Sequence, residues 1–198
     1  KVTRSITDAL AVRLTEADQI ALSLHETSVP AAYDAFLRGW VHLRRDTPDD
    51  YAAGIPYLEE ATKLDPDYGR AHAALAMAYL LSYDAQWTDY LGVSEIEARQ
   101  QAKRYLEDAR KHPTTLSHQV AAVILLIDLQ PNEALDELKE AIAIDSGDAF
   151  SYAYMGAALT ASGRPAEAVP HIRTAMRLDP HHPPIFDYLL GSAQFGME

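Results

Sequence analysis

Small and apolar residues recur at fixed offsets through the stretch from Ala149 to Pro180. Counted from Ala149 as position 1, the recurring residues are Tyr152 at 4, Met155 at 7, Gly156 at 8, Leu159 at 11, Ala168 at 20, Ile172 at 24, Ala175 at 27 and Pro180 at 32. The spacing has the 3.6-residue period of a helix on both sides of a break at Gly163–Pro165. It therefore predicts two helices joined by a turn.

Similar offsets recur along most of the chain. Further copies start near residues 32, 69, 115 and 183, so successive starts are 37, 46, 34 and 34 residues apart. Each start is fixed by several independent residues, and two consecutive spacings of 34 indicate a true repeat. The pattern predicts an all-α chain of four helix pairs, followed by a terminal helix over Pro183–Phe195.

These offsets closely resemble the large-Leu-Gly-Tyr and Ala-Phe-Ala-Pro signature of the tetratricopeptide repeat. The resemblance implies an α-α superhelix, which is a solenoid of stacked helix pairs. In such a solenoid the first helix of each pair lines the concave side. We expect the array to occupy residues 32–198.

The N-terminal residues 1–31 do not follow the repeat. Ile6, Leu10 and Leu14 share one helix face, and a variant capping box at Thr15–Asp18 opens a second short helix. Two short helices bury too little surface to be stable alone. We therefore expect this segment to pack on the array.

The second repeat is longer than the regular ones by 46 − 34 = 12 residues. The excess lies between its two helices, in Tyr83–Val93, and it contains Tyr83, Trp87 and Tyr90. Three aromatic residues are unusual in a connection, where small polar residues prevail. Either Trp87 and Tyr90 cover the apolar edge of the solenoid itself, or the insertion forms a partner-binding tip. We favour the first interpretation, because a long loop needs an anchor.

Positions 2, 5, 9 and 12 of each first helix are predicted to line the concave groove. These positions hold Tyr33, Phe36, Trp40 and Leu43 in the first repeat, Arg70, Ala73, Met77 and Leu80 in the second, Leu116, Gln119, Val123 and Leu126 in the third, and Phe150, Ala153, Ala157 and Thr160 in the fourth. A groove lined by so many apolar residues would be a larger apolar patch than a soluble monomer normally leaves exposed. The N-terminal helices, the aromatic insertion, another subunit or an apolar partner segment would cover it. The alternative is that some of these residues are ordinary inter-helix core.

Composition narrows the classes of function. The formal net charge of −12 argues against binding to nucleic acid or to an anionic membrane surface. The chain has no cysteine, which excludes disulfides and thiolate metal sites and suits a reducing, cytoplasmic compartment. The longest apolar run, Val120–Ile127, is far shorter than the roughly 20 residues that span a bilayer.

Motifs of catalysis, cofactor binding and metal binding are absent from the sequence. There is no phosphate-binding glycine loop, no nucleophile elbow and no zinc-binding H-E-x-x-H motif. The histidine pair His181-His182 lies in a proline-rich turn and lacks a third ligand at a sensible spacing. His72 and His118 occupy position 4 of their repeats, which is a packing position. We predict no enzyme, no cofactor and no metal.

The resemblance also allows a specific exclusion. Chaperone-binding tetratricopeptide domains hold an acidic C-terminal tail with a clamp of Lys and Asn side chains on the groove helices. The corresponding positions here are Phe36, Trp40, Ala74, Phe150 and Tyr154. These residues supply no cationic clamp, and the acidic chain would repel such a tail. A co-chaperone role is therefore disfavoured.

A narrower resemblance rests on Ala32–Gly39 (AYDAFLRG) and the preceding SITDALAVRLTEAD. Together they resemble tetratricopeptide regions of bacterial class III adenylate or guanylate cyclases and of related winged-helix transcriptional regulators. The similarity covers most of residues 5–111 but none of the catalytic residues of a cyclase. It implies a regulatory module of a larger signalling protein. The first residue, Lys1, is not Met, which fits a fragment of a longer chain.

Three hypotheses follow for the function. The first is a non-catalytic module that binds a protein or peptide segment, or an attached effector domain. The second is a homodimerisation scaffold, because an apolar cluster on the last helix has no polar cap after it: Ile185, Phe186, Leu189 and Leu190. The third is a small-ligand sensor that uses the groove, although no convergent set of polar groups indicates a ligand.

Overall fold

The computed structural model describes residues 27–197, and every regular element in that range is helical. The α-helices are α1 Pro30–Leu43, α2 Pro48–Leu64, α3 Gly69–Asp84, α4 Glu95–Ala109, α5 Thr115–Ile127, α6 Pro131–Ile144, α7 Ala149–Ala161, α8 Pro165–Leu178 and α9 Ile185–Phe195. A short 3-10 turn, Thr88–Leu91, lies between α3 and α4. Within residues 27–197, no helix combines the length and apolar character needed to cross a bilayer.

The helix starts follow from local capping chemistry. The Thr47 side chain accepts a hydrogen bond from the Asp50 amide, and Pro48 is the first residue of α2. Ser94 and Glu97 form a reciprocal capping box at the start of α4. These contacts satisfy amide groups that have no partner within the helix.

The helices pack as four consecutive hairpins. The pairs are α1 with α2, α3 with α4, α5 with α6, and α7 with α8, while α9 packs on α7 and α8. The first helices also contact one another in sequence, α3 with α5, α5 with α7 and α7 with α9. This is the stacking of a tetratricopeptide-like solenoid. The predicted fold class is confirmed.

Two glycines at position 8 let the helices of a pair approach closely. A Cβ atom added to Gly39 would lie 2.6 Å from Leu58 Cγ, and one added to Gly156 would lie 2.8 Å from Ile172 Cδ1. No real Cβ atom tolerates such contacts without movement of its neighbours. The glycine of the repeat pattern is therefore required by helix packing in the first and fourth pairs.

The apolar core is divided between the two ends of the array. One cluster joins the first two pairs to one face of α5, which includes Val120 and Ile124, and the next joins another face, with Ala122 and Leu125, to α6, α7, α8 and α9. The division falls within α5, where Ala121 belongs to the first cluster and Ala122 to the second. Helix α5 thus connects both halves of the core.

The observed boundaries differ from the predicted ones by small shifts. Helix α1 begins at Pro30, two residues before the predicted start of the array, and α9 begins at Ile185 rather than at 183. Helix α3 continues through Asp84, so Tyr83 is helical and the connection begins after it. The helices predicted within residues 1–26 lie outside the described residues.

Candidate partner-binding surface

The first helices α1, α3, α5 and α7 carry the residues predicted to line the groove. Eight of those residues are buried in the core and are not available on a surface: Phe36, Leu43, Ala73, Met77, Leu80, Leu116, Gln119 and Ala153. The expectation of an open apolar groove at these positions is therefore wrong. Their side chains face neighbouring helices, so the alternative interpretation as inter-helix core is correct for them.

Phe36 illustrates why these positions are buried. Its ring stacks on Trp40 at a centroid distance of 5.7 Å and packs against Tyr68 at 5.3 Å. The guanidinium of Arg70 lies 5.2 Å from the centroid of Phe36 and 5.8 Å from that of Trp40. This stack fills the space between α1 and the start of α3. Only its outer members, Trp40 and Arg70, are half-exposed.

Gln119 is buried by a polar network rather than by apolar packing. Its side-chain nitrogen donates to the carboxylate of Asp148 and, at 2.9 Å, to the hydroxyl of Ser151. Asp148 in turn accepts from the Ser151 amide and so caps α7. Gln119 lies on α5 and Ser151 on α7, so the network links these two helices. Its polar groups satisfy one another by hydrogen bonding. Gln119 is a structural residue here.

The residues that stay accessible form a smaller set, which we call the inner surface. It consists of predicted groove residues that are exposed or half-exposed: Tyr33, Trp40, Arg70, Val123, Leu126, Phe150, Ala157 and Thr160. Phe150 is 36% exposed even though its ring packs against Phe186 at 5.2 Å and Tyr154 at 5.9 Å. The inner surface is therefore apolar and aromatic, with one cation at Arg70. Ala73 and Ala153 are buried.

Tyr154 is a further residue of this region that the groove positions do not include. Desolvation by burial raises the pKa of its phenol to about 12, and the carboxylates of Asp148 and Asp46 add to the shift. Asp46 lies in the turn between α1 and α2.

The aromatic insertion mainly covers the solenoid itself. Trp87 packs edge-on against Tyr51 of α2 at 5.5 Å, and its amide donates to the Ser82 carbonyl at 2.8 Å. Tyr83 is half-buried, with the Arg99 guanidinium 5.9 Å from its ring centroid. These contacts support the favoured interpretation for Trp87, and Tyr83 also lies against α4. Tyr90 differs, because it is 58% exposed.

The histidines singled out in the sequence have structural contacts. The Nε2 atom of His72 lies 2.9 Å from the Pro66 carbonyl oxygen, and Nδ1 of His118 lies 2.7 Å from a Glu137 carboxylate oxygen. His182 stacks on Phe186 at 5.6 Å, whereas His181 is exposed. Among residues 27–197, no three His, Asp or Glu side chains converge in a group that could hold a metal ion.

Comparison with known proteins gives similarity to solved structures. No protein-family model matches the chain, and a search of curated proteins finds no significant match. Among solved structures, the chain is similar to YrrB, described as a TPR protein with an unusual peptide-binding site. The TM-score is 0.49 and the sequence identity 18%, over 91% of this chain and 83% of that chain. The fold described above rests on the helix pairs and close glycines of this chain itself.

Proposed function

We propose that this chain is a non-catalytic interaction module that binds a protein segment on its inner surface. The observation that carries the proposal is the set of accessible aromatic and apolar residues on the first helices, which includes Trp40, Val123 and Phe150. Apolar and aromatic side chains on a concave helical surface are the usual anchors for an amphipathic or extended peptide. No cofactor or metal takes part in this function.

The charge of the chain restricts the chemistry of the partner. A net charge of −12 favours association with neutral or basic segments and disfavours acidic ones. The positions of a cationic clamp are held by Phe36 and Ala74, which are buried, and by Trp40, Phe150 and Tyr154. We therefore propose a partner segment that presents large apolar side chains and carries no net negative charge.

The setting of the module is part of the same proposal. The resemblance of Ala32–Gly39 to regions of nucleotide cyclases and winged-helix regulators supports a place in a larger bacterial signalling protein. In that setting the partner is a segment of another protein or an attached effector domain in the cytoplasm. Nucleic acid and membrane binding are disfavoured by the acidic charge.

Selection of a random 15-residue peptide library on the immobilised chain provides a defined probe. A selected peptide is then titrated by calorimetry against the natural chain and against Trp40→Ala and Phe150→Ala. We expect each substitution to raise the Kd of the peptide at least about tenfold, because aromatic anchors dominate the affinity of such interfaces. Ile96→Ala is the matched control, since Ile96 is an exposed apolar residue of α4, which is a second helix.

Two results would contradict the proposal. One is a peptide that binds Trp40→Ala and Phe150→Ala as tightly as it binds the natural chain. The other is a loss of affinity in Ile96→Ala as large as that in Trp40→Ala. Met77, another predicted groove residue, is not suitable for this test. It is only 7% exposed, so a polar residue at this position would damage the core.

Homodimerisation through α9 is a second candidate, favoured by the exposure of its outer face. Ile185, Tyr188 and Phe195 are 42%, 69% and 78% exposed and lie at i, i+3 and i+10 of the helix. Of the residues predicted for this seam, Ile185 is exposed, whereas Phe186 is fully buried and Leu189 and Leu190 are half-buried against the core. Sedimentation of Tyr188→Asp beside the natural chain distinguishes a dimer that forms through α9 from a monomer. A dimer that dissociates in the variant supports the seam, and a natural chain that is monomeric rejects it.

A further inference from the structure

Phe150 of the inner surface lies directly beside the cap of its own helix. Asp148 is the N-cap of α7, and its carboxylate accepts a hydrogen bond from the Ser151 amide at 2.7 Å. Phe150 stands between these two residues, in the first turn of α7. A side-chain cap fixes the first turn, because it pairs an amide that has no partner within the helix. The cap therefore sets the position of the backbone that carries the Phe150 ring.

Gln119 joins this first turn to α5. Its side-chain nitrogen donates to the Asp148 carboxylate and, at 2.9 Å, to the Ser151 hydroxyl. An amide nitrogen carries two N–H groups, so one glutamine can satisfy both acceptors. Gln119 and Ser151 are both buried. One side chain of the neighbouring first helix thus holds the residues on both sides of Phe150.

Aromatic packing supports the Phe150 ring itself. The ring meets Phe186 of α9 edge-on at a centroid distance of 5.2 Å, and it meets Tyr154, one turn further along α7, at 5.9 Å. Phe186 is fully buried and stacks in turn on His182. Phe150 nevertheless stays accessible, because only part of its ring is covered. The exposed part of the ring therefore rests on a packed support.

The same repeat position lacks a helix cap in the first two pairs. Tyr33 in α1 and Arg70 in α3 occupy this position and are also accessible. Their helices have Val29 and Tyr68 as N-cap residues, and neither makes a side-chain capping hydrogen bond. The network between α5 and α7 is therefore a particular feature of the Phe150 position and does not follow from the repeat pattern.

We propose that Gln119 is a positioning residue for partner binding, which holds Phe150 in the orientation that contacts the partner segment. This inference rests on the proposed function of the inner surface. Gln119 is buried, so it acts through Asp148 and Ser151 rather than by touching the partner. An anchor that is already ordered loses less conformational entropy when the partner binds. Loss of the network should therefore weaken binding even though the Phe150 ring is still present.

A double-mutant cycle on the whole chain tests the proposal. Gln119→Leu removes both N–H donors and keeps a side chain of similar size. We expect it to raise the Kd of a selected peptide about two- to tenfold, which is the cost of ordering one side chain on binding. In the Phe150→Ala background the same change should leave Kd unaltered, because Gln119 acts through that ring. A general loss of folded structure would weaken binding in both backgrounds.

Conservative and control variants separate positioning from stability. Asp148→Asn keeps an oxygen that can accept from Gln119 and from the Ser151 amide, so the Kd should stay close to that of the natural chain. Ser94→Ala is the matched control, because it also removes a helix cap but lies at the start of α4. If Gln119→Leu does not fold, Gln119→Asn replaces it, since its amide is one methylene too short to reach both acceptors.

Fluorine NMR gives a readout that needs no peptide. The chain has four phenylalanines, so fluorophenylalanine labelling gives four signals, and the signal lost in Phe150→Ala is that of Phe150. We expect Gln119→Leu to shift or broaden the Phe150 signal of the free chain. The signal of Phe36, which belongs to the core cluster of the first two pairs, should stay unchanged.

Three results would overturn the proposal: an unchanged Kd in Gln119→Leu, an equal rise of Kd in the natural and Phe150→Ala backgrounds, and an unchanged Phe150 fluorine signal. Failure of the proposed function has a different signature, because Phe150→Ala would then bind the peptide as tightly as the natural chain. Weak binding by Phe150→Ala together with normal binding by Gln119→Leu would reject the positioning role alone.

Discussion

Replacement of Gly156 by alanine is a direct test of how tightly α7 and α8 pack. The added Cβ would lie 2.8 Å from Ile172 Cδ1, with Cγ1 of the same side chain nearer still, and 3.4 Å from the Ala168 carbonyl oxygen. Ile172 is fully buried and β-branched, so its side chain has little freedom to move away. Either the helices separate or Ile172 leaves its preferred rotamer.

Two opposing effects determine the size of the change. Alanine is favoured over glycine inside a helix by about 1 kcal/mol, because glycine loses more backbone entropy on folding. Inserting a methyl group into a packed core costs about 1–3 kcal/mol. Gly191 provides the matched control, since it lies inside α9 and a Cβ there would meet nothing within 4 Å. Gly191→Ala should therefore show the helical gain without the clash.

The difference between the two variants isolates the clash. We expect Gly191→Ala to stabilise the chain by up to about 1 kcal/mol and Gly156→Ala to be about 1–3 kcal/mol less stable than Gly191→Ala. Urea unfolding followed by far-UV circular dichroism gives both values. If Gly156→Ala stabilised the chain as much as Gly191→Ala does, the close approach of α7 and α8 would be refuted.

Two further perturbations have definite signs. Thr47→Ala removes the side-chain oxygen that accepts from the Asp50 amide, so it should cost about 1 kcal/mol in urea unfolding; an unchanged midpoint would contradict the cap. Tyr154 has a pKa raised to about 12 from an ordinary value of 10, so between these values the folded state keeps a proton that the unfolded state loses. The stability of the natural chain should therefore fall as pH rises from 10 to 12. Urea midpoints measured at pH 9 and 11.5 should fall less in Tyr154→Phe than in the natural chain. An equal fall in both proteins would contradict the raised pKa of Tyr154.

Features that depend on short-range chemistry could be predicted from the sequence. The Thr47 cap, the Ser94 capping box and the glycine at position 8 each depend on a few residues whose role is the same in any helix pair. Because the spacing of 34 residues occurs twice in succession, it fixed the positions of the repeats in the last two pairs. The same frame placed helix starts within about two residues elsewhere, since proline and caps fix a helix start only locally.

Exposure of the predicted groove residues could not be predicted in the same way. Phe36, Met77 and Gln119 occupy positions that line a groove only where neighbouring first helices leave a gap, and the gap depends on curvature and side-chain size. In this chain the Trp40–Arg70 stack and the Gln119–Asp148 contact close it. Such contacts join residues about 30 positions apart, and no periodicity records them.

The junction between the second and third pairs shows how an insertion changes the packing of a solenoid. Helix α4 presents charged residues to the third pair, where Arg99 and Lys103 meet Asp128 and Arg110 meets Glu137. These cations are more than a third exposed, so the ion pairs add little stability.

The apolar connection at this junction runs instead through α3 and α5. Both helices are largely buried, and α4 touches α5 over a much shorter stretch than α6 touches α7. Val123 and Leu126 of the inner surface both lie on α5, so a partner bound there would contact the helix that joins the two main clusters of the core.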